Sequence, residues 1–170
     1  MSATVDWIVM EGLIPFRKAV RELFGVVDWS VEIYGIRFGS FPRSTRAVKR
    51  LKTVLDQKLV IDLRSLEEQT CLELESIVRI PILDGGTPDM AGLMALRSAI
   101  QNAPGRELVF FCKYGRNRSA LCTTLALIIR QGLSPREAYS IVCQSRRFVR
   151  VLPNQLRWLD SLNLIETHQS

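Results

Sequence analysis

Short apolar runs and helical patterns alternate along the chain as far as residue 112. Four of the runs are rich in β-branched and aromatic side chains and predict strands: residues 33–39, 59–63, 78–83 and 108–111. Residues 44–55 and 90–100, between them, carry apolar side chains at helical spacing. Because strands alternate with helices, we predict a small, mostly parallel sheet with helices on both faces.

Beyond residue 112 the pattern is helical only. It predicts three helices, at residues 120–130, 135–145 and 154–164. The second begins at a strong start signal, since Ser134 precedes a proline and Glu137 follows three residues later. The fold class is therefore α/β, with one domain over residues 31–170.

Residues 1–30 carry apolar side chains near helical spacing and are predicted to form a helical extension packed on that domain. The alternative is a segment that contacts a membrane surface or a protein partner. No apolar run here reaches the roughly 18 residues of a membrane-spanning helix. The segment also lacks the cationic head and cleavage site of a signal peptide.

The net charge and the cysteine content indicate which classes of ligand and cofactor suit this chain. The chain of 170 residues has a net charge of +6, which suits anionic ligands without choosing among them. Its cysteines (Cys71, Cys112, Cys122 and Cys143) have no paired spacing of metal-ligand type, and His168 is the only histidine. We therefore expect neither a metal nor another cofactor.

Cys112, Arg118 and Ser119 lie in a loop between the predicted strand at 108–111 and the predicted helix at 120–130. In such a loop, backbone N–H groups and the positive end of the helix dipole converge on one point. This setting binds a phosphate dianion and stabilises a thiolate over a thiol. The sequence therefore predicts a phosphate-binding loop that contains its own nucleophile.

Each residue type in the loop has a chemical reason. Cys112 can attack phosphorus as a thiolate, and Arg118 can donate two N–H groups to the phosphoryl oxygens. Ser119 can donate its hydroxyl to the sulfur when the phosphocysteine breaks down, and Gly115 permits a backbone turn close to the anion. The remaining loop side chains are predicted to contact substrate: Lys113, Tyr114, Arg116 and Asn117. For Tyr114, packing is an equally good interpretation.

A proton donor for the leaving group is expected in the Gly- and Pro-rich loop after residue 83. Asp84 and Asp89 both lie there, and a carboxylic acid on a loop that can close over substrate suits general acid catalysis. Asp89 directly precedes the predicted helix at 90–100, where capping is the common role of an aspartate. Asp84 is the other candidate for the general acid, with a simple turn residue as the alternative.

The segment from Cys112 to Ser119, Cys-Lys-Tyr-Gly-Arg-Asn-Arg-Ser, resembles the signature of the cysteine-dependent protein tyrosine phosphatases. The dual-specificity branch fits the chain length best. Residues 84–88 resemble its acid loop, in which the first aspartate is the acid, so the resemblance implies that Asp84 is the general acid. The resemblance extends over residues 33–164 and implies that residues 31–170 form the catalytic domain. One departure is Phe111, because the family usually has a histidine there that orients the loop and tunes the thiol.

The resemblance also includes the stretch from Arg146 to Gln155, with its Arg-rich turn and its Pro-Asn helix start. The arginines there are either a solvated face or a contact for substrate anions. Gln155 is a candidate for positioning the hydrolytic water, although an ordinary helix-start residue explains it equally well.

The predicted function is hydrolysis of phosphomonoesters through a phosphocysteine intermediate, with phosphotyrosyl proteins, and phosphoserine or phosphothreonine besides, as favoured substrates. A lysine after the cysteine and a basic residue after the glycine, here Lys113 and Arg116, also occur in lipid-directed members of the family, so a phosphoinositide or other anionic phospholipid is the alternative substrate. Asn117 occurs in members of the family that act on RNA 5′ phosphates, and a pseudophosphatase that only binds phosphate is the non-enzymatic alternative. A catalytic thiolate needs a reducing environment, so an intracellular, cytoplasmic location is expected.

Overall fold

The computed structural model describes residues 28–42, 44–55, 57–68 and 77–167, the last five of them by their backbone alone. The predictions for residues 1–27 and for Cys71 lie outside these residues. Four strands and five helices follow one another in the described chain, with a 3₁₀ turn at Leu66–Glu68: β1 (Ile36–Ser40), α1 (Thr45–Val54), β2 (Leu59–Asp62), β3 (Ile77–Arg79), α2 (Met90–Gln101), β4 (Leu108–Cys112), α3 (Arg118–Gln131), α4 (Pro135–Ser145) and α5 (Pro153–Thr167).

The sheet is parallel throughout, in the order β1, β4, β2, β3. Ser40 is paired with Cys112, and Asp62 with Phe111, so the carboxyl ends of three strands meet at one edge. In parallel α/β sheets, ligands bind outside this edge. The mostly parallel α/β sheet predicted from the sequence is confirmed.

Alternation along β4 divides its side chains between two cores. Phe110 and Cys112 belong to the larger core, which packs against α2, α3, α4 and α5. Val109 and Phe111 belong to the smaller core, which packs against α1. Successive residues of a strand point to opposite faces, so the nucleophile and the residue before it lie on different sides of the sheet.

Local signals place several helix starts as predicted. The Ser44 side chain accepts from the Ala47 N–H at 3.2 Å at the start of α1. At the start of α4, Ser134 and Glu137 form the predicted capping box. Asp89 caps α2 by accepting from the Gly92 N–H at 2.7 Å, as its position before that helix indicated.

Two strands differ from the predicted bounds by more than one residue. β1 begins at Ile36, because Tyr34 and Gly35, with φ of 48° and 70°, turn the chain back on itself just before it. β3 ends at Arg79, although the Ile80 N–H still donates to the Asp62 carbonyl at 3.0 Å. Beyond Pro81, the Ile82 N–H donates to the Leu63 carbonyl at 3.3 Å, so the chain stays beside the end of β2 after the regular strand has ended.

Of the last three helices, α3 and α5 are longer than predicted, and α4 has the predicted bounds. α3 begins at Arg118 rather than at residue 120, so Arg118 and Ser119 stand on its first turn. α5 extends over Pro153–Thr167 instead of residues 154–164. None of the helices in the described part of the chain is long and apolar enough to span a membrane.

Candidate active site

The predicted phosphate loop joins β4 to α3 at the carboxyl edge of the sheet. Cys112 is the last residue of β4 and is 2% exposed. Its carbonyl accepts from the Phe41 N–H at 2.8 Å, which fixes the end of the strand. The sheet therefore fixes the position of the nucleophile, and the residues after it lead to the start of α3.

Two groups lie within hydrogen-bonding distance of the Cys112 sulfur. The Gly115 N–H donates to Sγ at 3.2 Å, and the Ser119 Oγ lies 3.3 Å from Sγ. Ser119 is fully buried on the first turn of α3, which places its hydroxyl beside the sulfur. Both groups can donate to a thiolate, which is the form that attacks phosphorus.

The loop needs glycine at position 115 for two reasons. Gly115 has φ of +67°, a conformation that is strained for residues with a side chain. A Cβ added there would also lie 2.4 Å from backbone atoms of Gly39 and Ser40. The loop therefore packs directly on the end of β1, which holds the Gly115 N–H against the sulfur.

Arg118 is almost completely buried, at 1% exposure, and Glu68 binds one edge of its guanidinium. Nη1 and Nη2 donate to Oε2 and Oε1 of Glu68 at 2.6 and 3.2 Å, and Nη1 also donates to the Ile82 carbonyl at 3.0 Å. Within the part of the chain that the structure describes, Nε forms no hydrogen bond, and its ion pair with Asp84 Oδ1 has the longer distance of 3.5 Å. The edge formed by Nε and Nη2 faces Asp84 without a hydrogen bond from Nε, so it can donate to a bidentate anion.

Glu68 is a site residue that the sequence analysis did not identify. Burial by itself would raise the pKa of Glu68, but the hydrogen bonds and charge of Arg118, with further bonds from Ser65 and Lys113, lower it to about 2. The Lys113 ammonium lies 3.4 Å from Oε1. The available signal was the position of Glu68 shortly after β2, whose carboxyl end lies at the same edge of the sheet as the phosphate loop.

Asp84 and Asp89 occupy different places. The Asp84 carboxylate is 65% exposed and lies beside Arg118, so it faces the phosphate loop from its own loop. The Asp89 side chain caps the start of α2. Of the two aspartates, Asp84 is the one beside the loop arginine, and its role as general acid stays a prediction.

The other loop side chains lie at the rim of the site. Tyr114 is half-exposed, and the Lys113 ammonium lies 5.4 Å from its ring centroid. The Arg116 guanidinium lies 5.6 Å from the ring centroid of Phe148, and the Arg116 carbonyl accepts from the Arg150 N–H at 3.0 Å. The Arg-rich turn is therefore attached to the outer side of the phosphate loop.

Asn117 and Gln155 form a reciprocal pair of amides. Asn117 Nδ2 donates to Gln155 Oε1 at 2.7 Å, and Gln155 Nε2 donates to Asn117 Oδ1 at 2.9 Å. Asn117 also donates to the Arg150 carbonyl at 2.6 Å. The predicted substrate contact of Asn117 and the predicted water contact of Gln155 are not visible in this arrangement, and both stay predictions.

Phe111, at the position of the usual histidine, is part of the smaller core. Its ring is fully buried and meets the Phe41 ring edge to face, with centroids 5.7 Å apart. Above Phe41 lies the guanidinium of Arg64, 3.5 Å from the ring centroid, and Arg64 is paired in turn with Asp62. Phe111 therefore packs against Phe41 on the α1 side of the sheet, and Arg64 covers the Phe41 ring.

The remaining described cysteines have different surroundings. Cys122 is fully buried in α3, and burial raises the pKa of its thiol well above the ordinary value. Cys143 is exposed on α4. Among residues 28–42, 44–55, 57–68 and 77–167, no group of three or more His, Cys, Asp or Glu side chains is placed to hold a metal ion.

Solved structures share this architecture. PTPMT1 in complex with PI(5)P aligns with a TM-score of 0.70 and 24% identity, over 84% of this chain and 99% of that one. Human DUSP28 aligns with a TM-score of 0.63 and 23% identity, over 79% and 95%. The human tyrosine phosphatase-like serine/threonine/tyrosine-interacting protein aligns with a TM-score of 0.68 and 16% identity, over 82% and 98%.

No protein-family model matches the chain, and no curated protein matches it in sequence. The structural likeness, at these levels of identity, is a likeness of fold. It agrees with the resemblance seen in the sequence between Cys112 and Ser119. The chain has the fold of the cysteine-dependent protein tyrosine phosphatases, in its dual-specificity form.

Proposed function

We propose that this protein hydrolyses phosphomonoesters through a phosphocysteine intermediate on Cys112. The observation that carries the proposal is the buried Nε–H of Arg118, which forms no hydrogen bond among the described residues and has the Asp84 carboxylate only at 3.5 Å, although the arginine is 1% exposed. Buried polar groups are almost always paired, so this N–H, on the first turn of α3 beside the phosphate loop, is a candidate to bind an anionic ligand. A phosphoryl group there completes the bonding of the arginine.

The first step forms the intermediate. The Cys112 thiolate attacks phosphorus, a sulfur–phosphorus bond forms, and the bond from phosphorus to the ester oxygen breaks. Asp84 gives its proton to the departing oxygen, so the alcohol or phenol leaves uncharged. Arg118 binds two phosphoryl oxygens while negative charge redistributes among them.

The second step releases phosphate. A water molecule attacks phosphorus and gives a proton to the Asp84 carboxylate, which thereby returns to its acid form. The sulfur–phosphorus bond breaks, and its electron pair stays on sulfur. Ser119, 3.3 Å from that sulfur, and the Gly115 N–H stabilise the departing thiolate.

For the substrate, phosphotyrosyl proteins are our first candidate, with phosphoserine and phosphothreonine besides. The half-exposed ring of Tyr114 and the exposed Leu83 beside Asp84 offer apolar contacts at the rim. Such contacts suit the aromatic ring that carries the phosphate in phosphotyrosine.

A second candidate, an anionic phospholipid phosphomonoester, is favoured by the composition of the same rim. Leu83, Tyr114 and Phe148 are 76%, 49% and 41% exposed, and Lys113 and Arg116 lie in the loop among them. Exposed apolar side chains next to cations suit an anionic membrane surface. The PTPMT1 structure with PI(5)P has the same fold.

A comparison of rates tests these candidates. The reduced protein is assayed for phosphate release from a phosphotyrosyl peptide, a short-chain phosphoinositide and a 5′-triphosphorylated RNA. We expect the highest kcat/KM on the peptide. Faster turnover of the lipid, reduced in Lys113→Ala, would favour the second candidate, and faster turnover of the RNA would contradict both. No turnover of any phosphate ester would identify a pseudophosphatase.

A further inference from the structure

The start of α5 holds the loop that contains Asp84. Gln155 Nε2 donates to the Gly86 carbonyl at 2.6 Å, and Asn154 Nδ2 donates to the Gly85 carbonyl at 3.3 Å. Gly85 and Gly86 directly follow Asp84, and Gly85 has φ of +74°. Two consecutive glycines leave a backbone with wide freedom, so these bonds limit the positions that Asp84 can adopt.

The same Gln155 amide is bonded to the phosphate loop. It exchanges hydrogen bonds with the Asn117 side chain at 2.7 and 2.9 Å, and Asn117 directly precedes Arg118. Gln155 Oε1 also accepts from the Leu152 N–H at 2.9 Å. One buried side chain thus connects the loop that binds phosphate to the loop that carries the acid.

The hydrogen-bonding capacity of Gln155 is fully used. A primary amide has two N–H donors and two acceptor sites on its oxygen. Nε2 donates to Gly86 and Asn117, Oε1 accepts from Asn117 and Leu152, and the side chain is 0% exposed. Contact with a hydrolytic water would require one of these bonds to break.

We infer that Gln155, together with Asn117, is a positioning residue that holds Asp84 over the phosphate loop before substrate binds. This inference rests on the proposed function, because it assigns Gln155 to the proton transfer of the first step. It differs from the water-positioning role considered from the sequence, which belongs to the second step. The two roles predict different kinetics.

The test uses aryl phosphates whose leaving groups range from acidic nitrophenols to phenol itself. Loss of a positioned acid slows kcat/KM most for phenol, because an acidic leaving group needs no proton. In Gln155→Met, which keeps side-chain length but removes the amide, we expect the ratio of kcat/KM between nitrophenyl and phenyl phosphates to rise about tenfold. In Asn154→Ala, we expect a smaller rise.

A double variant tests whether Gln155 acts through Asp84. Asp84→Ala combined with Gln155→Met should raise the ratio no further than Asp84→Ala alone, because the two changes remove one function. Leu159→Ala is the control for general damage to α5, since Leu159 is 1% exposed in the core. It should lower thermal stability and leave the ratio as in the wild type.

Two kinetic results would overturn the inference in an active enzyme. One is an unchanged ratio in Gln155→Met. The other is a fall in kcat with unchanged kcat/KM and a burst of phenol, which would assign Gln155 to the water. If Gln155→Met does not fold, the exposed Asn154→Ala provides the same test. Absence of wild-type turnover on all esters would instead overturn the proposed function, and this inference with it.

Discussion

Glu68 binds both terminal nitrogens of Arg118, at 2.6 and 3.2 Å, and so fixes the plane of the guanidinium. The two side chains are 14% and 1% exposed, so the pair lies largely out of water. Because one edge of the guanidinium is occupied, the other edge stays directed to the phosphate loop. Glu68 is thereby a positioning residue for the arginine that binds the phosphoryl group.

Replacement of Glu68 should therefore weaken anion binding. In Glu68→Gln, Arg118 loses its charged partner and its fixed orientation, so we expect KM and the Kd for vanadate to rise about tenfold, which corresponds to about 1.4 kcal/mol. Titration with vanadate measures the Kd. Glu67→Gln, at the exposed neighbouring position, is the matched control, and an equal effect in both variants would contradict the positioning role.

The same pair makes stability depend on pH. The pKa of Glu68 falls from 4.5 to about 2 on folding, so its carboxylate contributes fully above pH 4.5, and this contribution is lost as pH falls toward 2. Glu68→Gln has no such titration. We expect the difference in free energy of unfolding between wild type and variant to be constant above pH 4.5 and to shrink below it. Urea unfolding across this range measures the difference, and a pH-independent one would contradict the assignment.

The variants Asp84→Ala and Asp89→Ala should differ in how their rates depend on pH. A proton donor acts only when protonated, so a general acid produces a fall in rate as pH rises. Asp84→Ala should lose that fall and lower kcat on phenyl phosphate by about two orders of magnitude or more. Asp89→Ala should keep the profile and lower stability by about 1 kcal/mol through loss of the α2 cap. The reverse result would assign the acid to Asp89.

Gly115 should tolerate no side chain. In Gly115→Ala the new Cβ meets the backbone of Gly39 and Ser40 at 2.4 Å, so the loop must move away from the sulfur. We expect the free energy of unfolding to fall by at least about 3 kcal/mol and activity to be lost. Gly105→Ala is the matched control, because Gly105 has φ of +73° but open space around it.

In Gly105→Ala the free energy of unfolding should fall by only about 1 kcal/mol, from backbone strain, and activity should be kept. Chemical denaturation and turnover of an aryl phosphate measure both effects. If the two alanine variants lose equal stability and both stay active, the claim that the loop needs glycine at position 115 in order to pack on β1 is contradicted.

The parts predicted well from the sequence are those with local signals. The strand, the loop and the helix around Cys112 are contiguous, so their order alone indicates how N–H groups converge on the sulfur. The Asp89 and Ser134 caps likewise depend on a few neighbouring residues. The start of β1 was missed because the turn at Tyr34 needs a positive φ that its side chain does not suggest.

The parts that the sequence did not predict depend on distant pairs. Glu68 and Arg118 are 50 residues apart, and Asn117 and Gln155 are 38 apart. Nothing in the spacing of such residues shows that they meet, because their contact follows from the order of the strands. Glu67 and Glu68 are also adjacent residues of the same type, so the sequence does not show which of them meets the arginine. The 3₁₀ turn directs Glu68 to it.

Covalent attachment of phosphate to Cys112 is the most direct test of the account. The reduced wild-type protein is mixed with excess aryl phosphate, quenched in acid within one turnover, and analysed by mass spectrometry after digestion. We predict that the peptide containing Cys112 gains the mass of one phosphoryl group, and that Cys112→Ser shows no turnover while it still binds vanadate. Turnover that persists in Cys112→Ser, or phosphate release without a phosphorylated Cys112 peptide, would contradict the mechanism.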